Sequence, residues 1–220
     1  PIGYVKIWNG DKEDIFLDVP PGPAGSSEGY AVGRTNSTGT FGGYDGLIVE
    51  FNKTDIGFPV SKHYGSIGDE VFNGVAEDAN YIYAVGSTTF FTGTTDALIV
   101  QIDKSFPQFP TVQIALCGDH TDEFYDVIID GTDIYAVGRT NSTGTFGGYD
   151  ALIAQFDIST GTLAYVGSRI FGDSGFEEFL GVTTYGGYVY AVGCTDSWGQ
   201  GEWDALIVRY PAPLGPAQIG

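Results

Sequence analysis

Short apolar runs recur along the whole chain, separated by clusters of Gly, Asp, Asn, Ser and Thr. Between residues 123 and 171 the runs are Glu123–Ile129, Asp133–Gly138, Asp150–Asp157 and Leu163–Phe171. β-Branched and aromatic residues in runs this short, bounded by turn formers, predict strands and no helix. The pattern is periodic. Tyr-Ala-Val-Gly occurs at Tyr30–Gly33, Tyr83–Gly86, Tyr135–Gly138 and Tyr190–Gly193, so the glycines step by 53, 52 and 55 residues. Asp-(Ala/Gly)-Leu-Ile begins at Asp45, Asp96, Asp150 and Asp204, and Gly-Asp occurs at Gly10, Gly68, Gly118 and Gly172. Three independent markers in one order define four copies of a unit of about 53 residues. The first and third copies share the stretch YAVGRTNSTGTFGGYD, at Tyr30 to Asp45 and Tyr135 to Asp150, where the second and fourth diverge. That alternation points to two rounds of duplication.

Four strands per unit, joined mostly by short connections, predict a twisted antiparallel sheet with two apolar faces. Radial stacking buries both faces and leaves only short edges. The expected fold is therefore all-β, a four-bladed β-propeller forming a single domain. Blade 1 is expected at about 14–66, blade 2 at 70–117, blade 3 at 123–171 and blade 4 at 178–210. The prolines fall in connections, as strands require. The fourth copy runs into the Pro-rich segment 211–220 before its last strand, and an orphan strand-like run stands at 3–8. The expectation is that this N-terminal strand closes the last blade. Leu214–Gly220 weakly echoes Thr111–Gly118 as a second claimant for the same place. Two claimants invite exchange of terminal strands between molecules, and open exchange grows a filament.

Composition narrows the partners. The 220 residues carry 28 acidic and 9 basic side chains, a net charge of −19. Such a surface repels nucleic acid and anionic lipid, and no apolar run is long enough to insert in a membrane. The chain has no Met, which suggests a mature secreted product or a piece of a longer array. Its two cysteines, Cys117 and Cys194, are candidates for a disulfide.

The candidate chemistry lies in turns and loops. The Gly-Asp turns place Asp11, Asp69, Asp119 and Asp173 among further acids on one face. Hard oxygen clusters bind calcium, the one cofactor that these residues bring into view. The other reading is turn chemistry, with each carboxylate accepting from nearby backbone N–H groups. The recurring Asp45, Asp96, Asp150 and Asp204 are expected to cap the loops that precede their strands. Those loops carry Phe41 and Tyr44, Phe90 and Phe91, Phe146 and Tyr149, and Trp198 and Trp203 beside small polar residues. Rings beside hydroxyls suit sugars; the alternative is that they wedge between blades. Asn36, Asn52 and Asn141 stand in Asn-x-Ser/Thr sequons. The histidines His63 and His120 fall in different repeats, and no nucleophile, metal or phosphate-loop motif is present.

The stretches Asp133–Asp150, Ala151–Asp157 and Tyr165–Gly172 with its Gly-Asp turn resemble the bacterial and archaeal β-propeller repeat family, often called SBBP repeats. The resemblance covers the chain four times over, and family arrays are often longer. It implies an extracellular or envelope-associated protein without a common enzymatic activity. Sequence and resemblance together lead to the expectation of a non-enzymatic extracellular or cell-surface module. It would be structural or interacting, would self-associate or bind another surface protein or glycan, and would assemble by terminal-strand exchange. The alternative is a lectin-like propeller that uses its aromatic loops.

Overall fold

A computed structural model describes residues 5, 7, 8, 10–37, 39, 40, 42–57, 60–105, 110–142 and 144–214. Phe41 and most of the two terminal segments lie outside them. The described residues form fifteen strands and no helix. Sheet 1 contains β1 (Asp14–Asp18), β2 (Glu28–Thr35), β3 (Asp45–Asn52) and β4 (Val60–Tyr64). Sheet 2 contains β5 (Glu70–Glu77), β6 (Tyr81–Thr88), β7 (Asp96–Asp103) and β8 (Pro110–Leu116). Sheet 3 contains β9 (Asp122–Asp130), β10 (Asp133–Thr140), β11 (Asp150–Asp157) and β12 (Ala164–Phe171). Sheet 4 contains β13 (Glu177–Tyr185), β14 (Tyr188–Thr195) and β15 (Asp204–Pro211). Consecutive strands pair antiparallel, as short connections dictate. The molecule is thus all-β, with four antiparallel sheets.

Consecutive sheets stack face to face, and the motif residues make the interfaces. Tyr30, Val32 and Ile48 of sheet 1 pack with Phe72, Ile82 and Leu98 of sheet 2. Val85, Ala97 and Ile99 of sheet 2 pack with Phe124, Ile134 and Leu152 of sheet 3. Val137, Ala151 and Ile153 of sheet 3 pack with Phe179, Val189 and Ala191 of sheet 4. Each central strand of sheets 2 and 3 is covered on both faces, so β7 and β11 bury seven of eight positions. A near-continuous apolar run is what such a double burial selects.

The glycine that ends Tyr-Ala-Val-Gly has a steric reason to be there. A Cβ at Gly33, Gly86, Gly138 or Gly193 would lie 1.8 Å from the carbonyl oxygen of Ile15, Val71, Glu123 or Glu178. Beside this close approach the register shifts in all four sheets, at Phe16/Asp18, Phe72/Gly74, Val137/Gly138 and Phe179/Gly181. An extra residue inserted there twists the strand locally.

Two expectations change at the ends. Sheet 4 has three strands among the described residues, not four, and none of the described residues of the N-terminal run pairs with it. Val5, Ile7 and Trp8 are described and lie in no strand, with Val5 and Ile7 70% and 78% exposed. The tail approaches that place instead. The N–H of Leu214 donates to Gln155 Oε1 at 2.9 Å, as the N–H of Leu163 donates to Gln101 Oε1 at 3.0 Å one repeat earlier. Leu163 leads directly into β12, so Leu214 stands where a fourth strand would begin. Among the described residues sheet 4 also does not pack against sheet 1 as consecutive sheets pack on each other, and the stack they form is not closed into a ring.

Candidate functional site

The loops between the second and third strands of each sheet gather at one end, against the turns that enter the next sheet. One acid organises each junction: the half-buried Asp14 and the buried Glu70, Asp122 and Glu177, each the first residue of its sheet's first strand. The hydroxyls of Thr35, Thr88 and Thr195 donate to Asp14, Glu70 and Glu177 at 2.5, 2.8 and 2.7 Å. The backbone N–H groups of Gly10, Ser66 and Asp173 donate to the same acids at 2.8, 2.8 and 2.9 Å. Asp122 takes the corresponding bonds from Thr140, Ser142 and Gly118, yet burial pushes its carboxyl above the usual range.

The acids singled out by sequence are their neighbours in the chain, and two of them, Asp69 and Asp173, hold backbone N–H groups. Asp69 accepts the N–H of Tyr44 at 2.8 Å, Asp173 accepts that of Ser174 at 2.8 Å, and Asp119 lies 3.2 Å from His120 Nδ1. Asp11 is exposed. No group of three or more His, Cys, Asp or Glu side chains able to hold a metal ion occurs among the described residues, so the calcium reading finds no ligand set. Cys117 and Cys194, the candidate disulfide pair, are free thiols. They sit at different junctions, one after β8 and the other on β14, where Cys194 Sγ faces Glu178 at 3.7 Å. Burial raises both thiols above their ordinary pKa.

The sequon asparagines use their side-chain oxygens structurally. Asn36 Oδ1 accepts from Glu13 N–H at 2.9 Å and Asn141 Oδ1 from Thr121 N–H at 2.7 Å, tying loop to turn in the twin copies. Asn52 accepts from Thr54 N–H at 2.7 Å within its own turn. The strand-leading acids Asp45, Asp96 and Asp150 are fully buried. Asp96 accepts from the hydroxyl of Thr92 at 2.9 Å, and Asp150 accepts the N–H of Phe146 at 2.6 Å. These two hold the preceding loop, as a cap does. Burial raises the Asp150 carboxyl, helped by the charges of Glu177 and Asp173.

The loop aromatics divide into two sets. Most are used in packing. Arg139 lies 4.4 Å from the Tyr149 ring centre, Phe176 lies 5.3 Å from Tyr149, and Trp203 lies 5.1 Å from Phe176. Arg139 also pairs with Glu123 at 2.7 Å. Tyr44 stacks under Arg34 at 4.6 Å and donates its hydroxyl to Glu13 at 3.0 Å. Trp198 rests on Phe171 at 5.1 Å, while Phe146 is 61% exposed.

Phe90 and Phe91 differ. They stand edge to face at 5.2 Å on the wall of a cavity of about 270 Å³, and both are more than two-fifths exposed. Tyr64, Gly65 and Ser66 from the end of sheet 1 form the opposite side, with Glu70, Thr88 and Gln113 of sheet 2. The Tyr64 hydroxyl donates to Gln113 Oε1, and burial pushes its pKa up to about 12. Ser66 Oγ donates to Glu70 at 2.7 Å. The cavity therefore offers two aromatic rings, a phenol, a carboxamide and small hydroxyls. Its volume lies below the roughly 300 Å³ at which drug-sized pockets begin, so it suits one ring-sized group. Sequence reading named Phe90 and Phe91 but missed Tyr64 and Gln113, which lie on edge strands of two different sheets.

No protein-family model matches the chain, and no curated protein does. Among solved structures it is similar to an exo-1,5-alpha-L-arabinanase from a bovine ruminal metagenomic library. The identity is 11% and the TM-score 0.42, with 85% of this chain and 72% of that one covered. That neighbour is an arabinanase by name. The expectation of a non-enzymatic structural module that polymerises by strand exchange is corrected against it and withdrawn, together with the expectation that the chain is no enzyme. A likeness this distant gives this chain neither a substrate nor a catalytic residue.

Proposed function

We propose that the chain binds carbohydrate, with a single sugar ring held in the cavity beside Phe90 and Phe91. The observation that carries this reading is the pairing of two exposed rings with a polar wall of Tyr64, Gln113 and Ser66. Sugar C–H faces stack on aromatic rings, and hydroxyls exchange hydrogen bonds with phenol and carboxamide groups. The net charge of −19 disfavours acidic sugars, so the ligand is neutral. In the same reading the four sheets are β-propeller blades of the repeat kind that the sequence resembles. It works at or outside the cell surface, with a glycan as its partner.

A glycan array followed by calorimetry tests this. Phe91→Ala and Gln113→Ala are expected to weaken binding about tenfold or more, as truncating a contact at the centre of a site does. Trp198→Ala, whose ring is engaged by Phe171, is expected to bind as the parent does. Absence of any glycan hit, or binding indifferent to Phe91 and Gln113, overturns the proposal. Release of reducing ends from a bound glycan would extend the reading to hydrolysis.

A further inference from the structure

Sheet 4 repeats the sequence of the other sheets but not their burial. Ile48, Ile99 and Ile153 are 5%, 0% and 0% exposed, whereas the equivalent Ile207 is 74% exposed. Val32, Val85 and Val137 are fully buried, and the equivalent Val192 is 43% exposed. In sheets 1 to 3 these positions form the face on which the next sheet lies. A phenylalanine from that next sheet sits at the centre of each contact. The Phe72 ring covers Gly46, where a Cβ would come within 2.5 Å of it. Phe124 and Phe179 join Ala97 and Ala151, the next two equivalents of Gly46, in the same way. The fourth equivalent, Ala205, is exposed and carries no ring among the described residues. At the other end of the stack, Phe16 is the first-sheet equivalent of Phe72, Phe124 and Phe179. Those three are fully buried, and Phe16 is 39% exposed.

We propose that the open face of sheet 4 is an interface for sheet 1 of a second copy of this chain, with the second copy's Phe16 lying on Ala205. The chain itself specifies the occupant, because it makes this contact three times internally with the same residue types at the same positions. Gln101 grips the loop that follows β11, accepting from Leu163 N–H at 3.0 Å and donating to Gly161 O at 3.0 Å. The equivalent residue in sheet 4 is Arg209, which lies 4.4 Å from the Tyr188 ring centre, and the corresponding loop of sheet 1 carries both Lys53 and Asp55. The contact is face to face and exchanges no strand. Because its two surfaces differ, it is head to tail. It does not depend on the sugar reading.

Sedimentation velocity of the full chain from low to high micromolar concentration tests the proposal. The expected result is a mass that rises above the 23.4 kDa of one chain as concentration rises. Ile207→Asp is expected to abolish that rise, and Phe16→Ser to do so from the other face, with thermal unfolding confirming that each variant folds. If one variant fails to fold, the other decides. A wild-type chain that remains at 23.4 kDa throughout overturns the proposal, including the case in which its own sheet 1 covers the face. Assembly unchanged by a folded variant overturns it as well.

Discussion

β7 and β15 begin with the same five residues, Asp-Ala-Leu-Ile-Val, and live in different surroundings. β7 is covered on both faces and buries seven of its eight positions, whereas β15 alternates half-buried and exposed positions from end to end. The local sequence is enough to make the strand in both cases. What it cannot supply is the neighbour. Burial here belongs to the stack, and the last sheet carries the apolar residues of an interior element without being one.

Replacing the same residue in both strands gives the largest expected difference. Ile99→Ala should cost about 2–5 kcal/mol, the range for truncating a buried aliphatic side chain. Ile207→Ala should change the stability of the dilute chain by less than about 0.5 kcal/mol. Chemical denaturation of the two variants checks this, and equal losses would mean that the face of sheet 4 is covered. A smaller contrast separates the two arginine clusters at the loop end. Arg139 is held by Glu123 at 2.7 Å, by Glu178 at 3.5 Å and by the Tyr149 ring, whereas Arg34 has Glu13 at 3.0 Å and the Tyr44 ring. Arg139→Ala is expected to cost about 1–2 kcal/mol and Arg34→Ala under about 1 kcal/mol.

The smallest expected effect is one of pH. Burial raises Asp122, Asp126 and Asp150 above the ordinary carboxylate value. A raised folded pKa means that the folded state holds its protons more tightly than the unfolded chain. The stability these groups contribute is complete below the unfolded value and is lost as pH rises through the folded one. The melting midpoint should therefore fall as pH rises above about 4, the ordinary aspartate value, and Asp150→Asn should flatten that fall. A midpoint that rises over the same interval would contradict the assignment.

Much of this was legible in the sequence. The recurrence of Tyr-Ala-Val-Gly and Asp-Ala-Leu-Ile located the second and third strands of all four sheets, because two-sided burial demands apolar runs of that length. The anchoring acids were harder to recognise. The turns are crowded with carboxylates, and the conspicuous Gly-Asp pairs are the exposed ones. A signal for the anchoring set was present: an acid two residues before a phenylalanine, in Asp14-Ile15-Phe16, Glu70-Val71-Phe72, Asp122-Glu123-Phe124 and Glu177-Glu178-Phe179. The cavity was half visible. Phe90 and Phe91 are adjacent in sequence, but Tyr64 and Gln113 are 49 residues apart and meet only because edge strands of successive sheets converge. The fate of the ends depended on which segment reaches β15, and no strand propensity decides between two candidates of similar composition.

The glycine after each Tyr-Ala-Val has one more consequence. Gly33, Gly86, Gly138 and Gly193 each face a carbonyl oxygen across a gap that no side chain fits. Drift after duplication has been free to rewrite the loops, as the second and fourth copies show, but it has had no alternative letter to try at these four sites. They act as fixed points against which the divergence of everything between them can be measured. A saturation mutagenesis profile of the chain would show four sharp minima of tolerance spaced like the repeat itself, so that the duplication history could be recovered from fitness alone.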